Sequence, residues 1–279
     1  MKAPPPTSKP ALHAALFLAL TCASLNAVEI VAHRGASYDA PENTMAATTL
    51  AWKQNADAVE TDIYLGKDGK LIVFHDKPSA KRTTGRDVPI HTLTQAEARE
   101  LDAGSWKGPQ FKGEKIPLLE EQIASIPPGK RLLAEIKPGP EIVPELKRVL
   151  KATGADEKRI AIISFNYESL KEVRKRLPRY ETLYLVGYKA PDPKKAPSKT
   201  PQPTLDQVIR EAKAAKLTGL DLQHTWPLDA AAAKKIKDAG LQLHVWTVDD
   251  VAIARRWIEL GVASITTNRP AWLREQLAR

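Results

Sequence analysis

The chain has 279 residues, 43% hydrophobic and 27% charged, with a formal charge of +9 from 42 Lys+Arg against 33 Asp+Glu. That much apolar surface excludes a chain disordered in bulk, and the single cysteine excludes a disulfide framework and a thiolate zinc site. The basic balance favours anionic partners in general, such as phosphates, nucleic acid or membrane surfaces.

Residues 1–27 differ from the rest. Lys2 and Lys9 are the only charges before Glu29, and an apolar run from Ala11 to Leu20 is followed by small and polar residues. This is the pattern of a secretory signal peptide: a positive start, an apolar stretch and a cleavage zone. The apolar run is shorter than the about 20 residues that span a bilayer, so no stable membrane insertion is expected after cleavage. A cut after Ala27 puts Leu25 three residues before it, and a cut after Ala23 puts Thr21 there. The expected location is the periplasm, and the mature chain, 28–279, would hold no cysteine.

From residue 29 onward, strand-like and helix-like runs alternate. Glu29–His33 reads as a strand. Thr44–Gln54 reads as a helix with Asn43 as its N-cap. Ala58–Leu65 and Leu71–Phe74 read as strands around a turn at 67–70. Residues 77–117 break the rhythm with one helix, Gln95–Leu101, and otherwise loops, as an excursion or small cap. Then follow strand Arg131–Ile136, helix Glu141–Lys151, strand Arg159–Phe165, helix Glu168–Leu177 and strand Glu181–Gly187. Residues 188–203 carry five prolines and four lysines and read as a solvated linker on the catalytic face. Beyond it come helix Leu205–Ala215, strand Gly219–Leu222, helix Ala230–Ala239, strand Leu241–Val248, helix Val251–Leu260, strand Ser264–Thr267 and helix Ala271–Leu277. Around eight alternations demand parallel strands with crossover helices. At this length the fold class is α/β, a (β/α)8 TIM barrel of one domain. An open doubly wound sheet is the runner-up, and the first strand lacks the glycine fingerprint that would favour it.

In a parallel barrel, chemistry gathers where strands end. Glu60 and Asp62 are two apart on a strand and face one side. Glu135 ends the next barrel strand and can join them. Three acids at one mouth need a cation or raised pKa values, and an all-oxygen set suits a hard divalent ion, Ca2+ or Mg2+, over zinc. His33 and His75 also follow strands, and such a pair can serve as base and acid on opposite sides of a reacting phosphorus. Arg34 can grip a phosphate oxygen, and Lys137 shares a face with Glu135.

These residues lie in motifs that together resemble a glycerophosphodiester phosphodiesterase. The matching text is HRG (33–35), PENT (41–44), ETD (60–62), HD (75–76), RTTG (82–85), LDAGSW (101–106), IPLLEE (116–121), EIK (135–137), SF (164–165), VWTV (245–248) and ITTNRP (265–270). The resemblance implies a TIM barrel with an inserted cap after the second strand region. It implies His33 and His75 as general acid and base, and Glu60, Asp62 and Glu135 as metal ligands. It also implies Arg34 and Lys137 as phosphate contacts, a supporting role for Glu42 near the metal site, and Trp246 as a pocket wall. The activity implied is metal-dependent hydrolysis of a small-molecule phosphodiester to sn-glycerol 3-phosphate and an alcohol. Alternatives are a lysophospholipase D-like enzyme acting on lipid head groups, or a binding protein on an inactive barrel. Nucleic acid is not expected as a partner, because the lysines are scattered and aromatics do not interleave with them. One departure stands out: Asn268 occupies a position where such proteins often have an acid. His91 and His244 read as structural, and the sequence leaves His224 undecided.

Overall fold

The computed structural model describes Met1, residues 28–189 and residues 202–279; the expected signal peptide and most of the 188–203 segment lie outside the described residues. In chain order the elements begin with β1 (Glu29–Ala32), α1 (Met45–Lys53), β2 (Ala58–Leu65) and β3 (Leu71–Val73). Next are α2 (Lys81–Thr84), α3 (Gln95–Arg99), α4 (Leu119–Ala124), β4 (Arg131–Ile136) and α5 (Val143–Ala152). Then come β5 (Ile160–Ser164), α6 (Tyr167–Arg176), β6 (Glu181–Val186), α7 (Leu205–Ala214) and β7 (Gly219–Gln223). The chain closes with α8 (Ala230–Asp238), β8 (Gln242–Trp246), α9 (Val251–Glu259), β9 (Ser264–Thr267) and α10 (Pro270–Ala278).

All these strands except β3 pair in parallel, and β1 pairs with both β2 and β9, so the sheet closes into an eight-stranded TIM barrel. The strands alternate sharply. Ile30, Leu220, Leu222, Leu243, Val245 and Ile265 pack outward against helices. Val31, Ala58, Leu133, Ala161, Ile163, Leu183 and Leu185 fill the middle of the barrel. Below them, Arg131 closes the floor against Glu29 and Glu181. Above them stand the acids of β2 and β4. No described helix is long and apolar enough to cross a membrane.

One expectation needs correcting, the cap of α1, and two segments gain detail. Leu71–Phe74 forms β3 after the expected turn and folds back antiparallel on β2, pairing Ile63 with Val73 and Leu65 with Leu71. Four residues of turn chemistry allow a hairpin, whereas a parallel partner needs a crossover. Asn43 is not the cap of α1. Thr44 is, its Oγ1 accepting from Ala47 N at 3.2 Å. The 77–117 excursion is more structured than expected, with α2 and two 3₁₀ turns beside α3. Its loop is stapled by Asp102, whose carboxylate accepts from the backbone N–H groups of Gly104, Ser105 and Gly113. Lys107 fastens it to the barrel by donating to Ser37 O at 2.7 Å, and Glu114 accepts from Ala46 N at 2.9 Å. Glu114 thereby sits at the positive end of α1, where a carboxylate is favoured.

Candidate active site

The HRG segment leaves β1 in a left-handed turn. Arg34 has φ 56°, a conformation uncommon for a residue with a side chain. That turn aims the Arg34 N–H at Glu60 Oε2, 2.9 Å away. Gly35 follows at φ 80°, and a Cβ there would lie 2.6 Å from the Ala47 backbone, so only glycine lets α1 pack this close. Asn43 is also left-handed, at φ 57°. Its amide spans Asp62: Nδ2 donates to Asp62 Oδ2 at 2.7 Å, and Oδ1 accepts from Asp62 N at 3.1 Å and Thr61 Oγ1 at 3.0 Å. Two strained residues thus hold two carboxylates.

Register places Asp62 directly beside Glu135 on β4. One oxygen from each of Glu60, Asp62 and Glu135 lies within 4.8 Å of the others, and all three residues are buried. Burial, then the neighbouring Asp62 and Glu135, pushes the Glu60 carboxyl well above its usual range. Burial and Asp62 likewise raise Glu135. Burial opposes the charge on Asp62 too, but Lys137 and Arg34 outweigh it and hold that carboxyl low. Lys137 Nζ lies 2.6 Å from Glu135 Oε1 and 3.2 Å from Asp62 Oδ1. Glu60 Oε1 has no hydrogen-bond partner, and Asp62 Oδ1 and Glu135 Oε1 have only this ion-pair contact. Buried carboxylate oxygens left in this way fit a hard cation.

The two histidines flank the acids and are held differently. The β2–β3 hairpin returns the chain to the mouth, with Phe74 N donating to Asp62 O at 3.0 Å, and delivers His75 there. His75 Nδ1 lies 2.8 Å from Asp76 Oδ1, and Arg82 Nε donates to Asp76 Oδ2 at 2.6 Å. His33 Nδ1 lies 2.8 Å from Asn268 Oδ1. The Asn268 Nδ2 group donates to the Asp249 carboxylate, which also accepts from Asn268 N and Thr267 Oγ1 at 2.8 Å each. A carboxylate only accepts, so the Asn268 amide oxygen must face His33, whose Nδ1 then carries the proton. His33 Nε2 is left as an acceptor, 4.0 Å from Glu60 Oε2. Burial and the Arg34 charge push the His33 imidazolium down to about 4. Burial also lowers His75, against the pull of Asp62.

Glu42 sits between two guanidiniums: Arg34 Nη1 at 2.8 Å, Arg82 Nη2 at 2.7 Å and Arg82 Nη1 at 2.8 Å. It therefore positions Arg34, which also reaches Asp62 through Nε at 3.2 Å. Trp246 is half-buried. Its Nε1 donates to Asp221 O at 3.0 Å, and its ring meets Phe165 edge-on at 5.3 Å. His33, Arg34, Glu60, Asp62, His75, Glu135 and Lys137 all meet at one mouth, with Glu42 behind them and Trp246 on the wall.

A model of the glycerophosphoryl diester phosphodiesterase family matches residues 33–272. The chain belongs to that family. It is an enzyme, a phosphodiesterase of the glycerophosphodiester class. It is 33% identical over 249 residues to a putative glycerophosphodiester phosphodiesterase, YhdW, of Bacillus subtilis, covering 88% of this chain and 96% of the relative. It is equally 33% identical over 253 residues to a glycerophosphodiester phosphodiesterase of Caldanaerobacter subterraneus, covering 88% and 95%. Among solved structures, an Oleispira antarctica phosphodiesterase in complex with the product sn-glycerol-3-phosphate superposes with a TM-score of 0.78 at 29% identity, covering 90% of this chain and 97% of that one.

Four positioning residues carry more of this site than sequence reasoning assigned to them. The sequence presents Asn43 as a cap, and Arg82 and Asp76 only as motif letters. Asp249 was not singled out. PENT beside ETD is the signal that could have found Asn43, since a buried acid needs a donor.

Proposed function

We propose that this phosphodiesterase hydrolyses glycerophosphodiesters to sn-glycerol 3-phosphate and an alcohol with a divalent cation, calcium or magnesium, held by Glu60, Asp62 and Glu135. The observation that carries the reading is the buried three-acid cluster with underused oxygens, set between two imidazoles. A cation there supplies charge stabilisation for the phosphoryl oxygens. Arg34 and Lys137 grip the same phosphate, each already oriented by carboxylates.

The supports of the two histidines divide their work. His33 rests against a neutral amide, stays uncharged and presents Nε2, so it takes the proton from the attacking oxygen as the new P–O bond forms. His75 rests against Asp76, whose carboxylate offsets part of the lowering that burial imposes, and it is the histidine that gives a proton to the departing alkoxide oxygen as the old P–O bond breaks. Release of sn-glycerol 3-phosphate from glycerophosphoglycerol, with chelator and then with each ion restored, tests this. Loss in chelator and recovery with one ion is expected. Chelator-insensitive turnover refutes the metal, and absence of product under both ions refutes the reaction.

The same proposal places the enzyme in the periplasm, on the strength of the charged start and apolar run of residues 1–27. N-terminal sequencing of protein from the periplasmic fraction should find a start near residue 24 or 28. An intact Met1 would refute export by cleavage.

A further inference from the structure

A groove of about 700 Å3 opens beside His75 and Lys137, and neither Phe165 nor Trp246 lines it. A glycerol moiety would leave most of it empty. Its walls combine four cations, Lys77, Lys81, Arg82 and Lys137, with two carboxylates, Asp76 and Asp87. Their commitments differ. Lys137 is paired with Asp62 and Glu135, and Arg82 with Glu42 and Asp76. Asp87 accepts from Ser79 Oγ at 2.6 Å. Lys77 and Lys81 are exposed, and among the described residues neither enters an ion pair. The one aromatic on the wall, Tyr64, is 4% exposed and offers no ring face.

We propose that this groove receives the alcohol half of the substrate and favours head groups carrying a phosphate or carboxylate over those carrying a quaternary ammonium. The inference rests on the phosphodiesterase reading of the same site. A variable head group needs open space, and the acid that protonates its leaving oxygen, His75, lines this groove. An anionic group there meets two unpaired ammonium groups. A choline group meets the same two charges with like sign, and lacks the aromatic face that binds such cations elsewhere.

The test compares kcat/KM for soluble glycerophosphodiesters bearing glycerol phosphate, glycerol or choline, using the full metal-loaded enzyme at low salt and at about 0.5 M salt. It is repeated for Lys77→Ala/Lys81→Ala and Lys77→Glu/Lys81→Glu, with thermal melts to confirm folding. The anionic substrate should be preferred over choline at low salt, and salt should erode the preference. The alanine pair should cut that ratio by about fivefold while turnover of the uncharged glycerol substrate holds, and the glutamate pair should invert it. A preference for choline, or a ratio indifferent to charge reversal, overturns the proposal. Calorimetric binding of the glycerol phosphate compound separates the two readings. Lysine-dependent binding without turnover refutes the reaction and keeps the groove, and turnover with lysine-independent selectivity refutes the groove and keeps the reaction. Failure of both binding and turnover refutes both.

Discussion

The two sides of the barrel mouth are built from the same parallel strands and furnished in opposite ways. From β1 to β4 the strand ends present Arg34, Glu60, Asp62, Glu135 and Lys137, and each charge is answered by another side chain or a backbone N–H. From β5 to β8 the mouth presents Phe165 and Trp246 over Ile163 and Leu185. Two strands of the apolar side turn quickly into their helices: Asn166 caps α6 directly after Ser164 and Phe165, and Asp250 caps α9 shortly after Trp246. The charged side needs the whole 77–117 excursion, because buried charges need partners that a short turn cannot reach. Arg82, Lys107 and Glu114 are the contacts by which that excursion serves the site.

The contrast predicts where activity is fragile. His33→Ala and His75→Ala should each lower turnover by about 10²–10⁴ with the melt unchanged. Retention of most activity in either variant removes that histidine from the chemistry.

Next in size is the coupling of metal to protons. Burial and mutual repulsion raise the Glu60 and Glu135 carboxyls in the metal-free protein. Cation binding near neutral pH should therefore release protons, and affinity should rise with pH by about tenfold per unit for each proton displaced. Calorimetry in buffers of different ionisation enthalpy counts those protons. Glu60→Gln should weaken the affinity, and an unchanged metal titration counts against Glu60 as a ligand.

Asp221 lies on β7, within the apolar side, and tests how far the charged side's rules extend. It is 1% exposed, and its Oδ1 has no partner. Burial and the charge of Glu135 push its carboxyl up to about 8 from an ordinary 3.8. In the unfolded chain it ionises above about 4, and in the folded protein only near 8. Stability is therefore unaffected below the unfolded value, falls across that window and levels off above it. Asp221→Asn should raise stability by about 2 kcal/mol or more at the top of the window and by nothing at the bottom, read from paired denaturant titrations. The smallest effect belongs to the apolar side. Phe165 is 47% exposed, and Phe165→Ala should raise KM by about threefold with kcat held. A collapse in kcat would show that the apolar side also shapes the reaction.

The sequence by itself determined the alternation of strands and helices, the facing of Glu60 and Asp62, and the approach of Glu135 and Lys137. Those follow from the two-residue period of a strand and the parallel register of a barrel, which are local rules. Tertiary structure alone decided the grip of Asn43 on Asp62 and the bond between His33 and Asn268, 235 residues apart. The departure at Asn268 reads in the sequence as a lost acid. In the folded chain Asp249 fixes its amide so that the oxygen meets His33. Hydrogen-bond partners of buried side chains depend on where distant backbone segments come to rest and on left-handed turns at Arg34 and Asn43, which no periodicity announces.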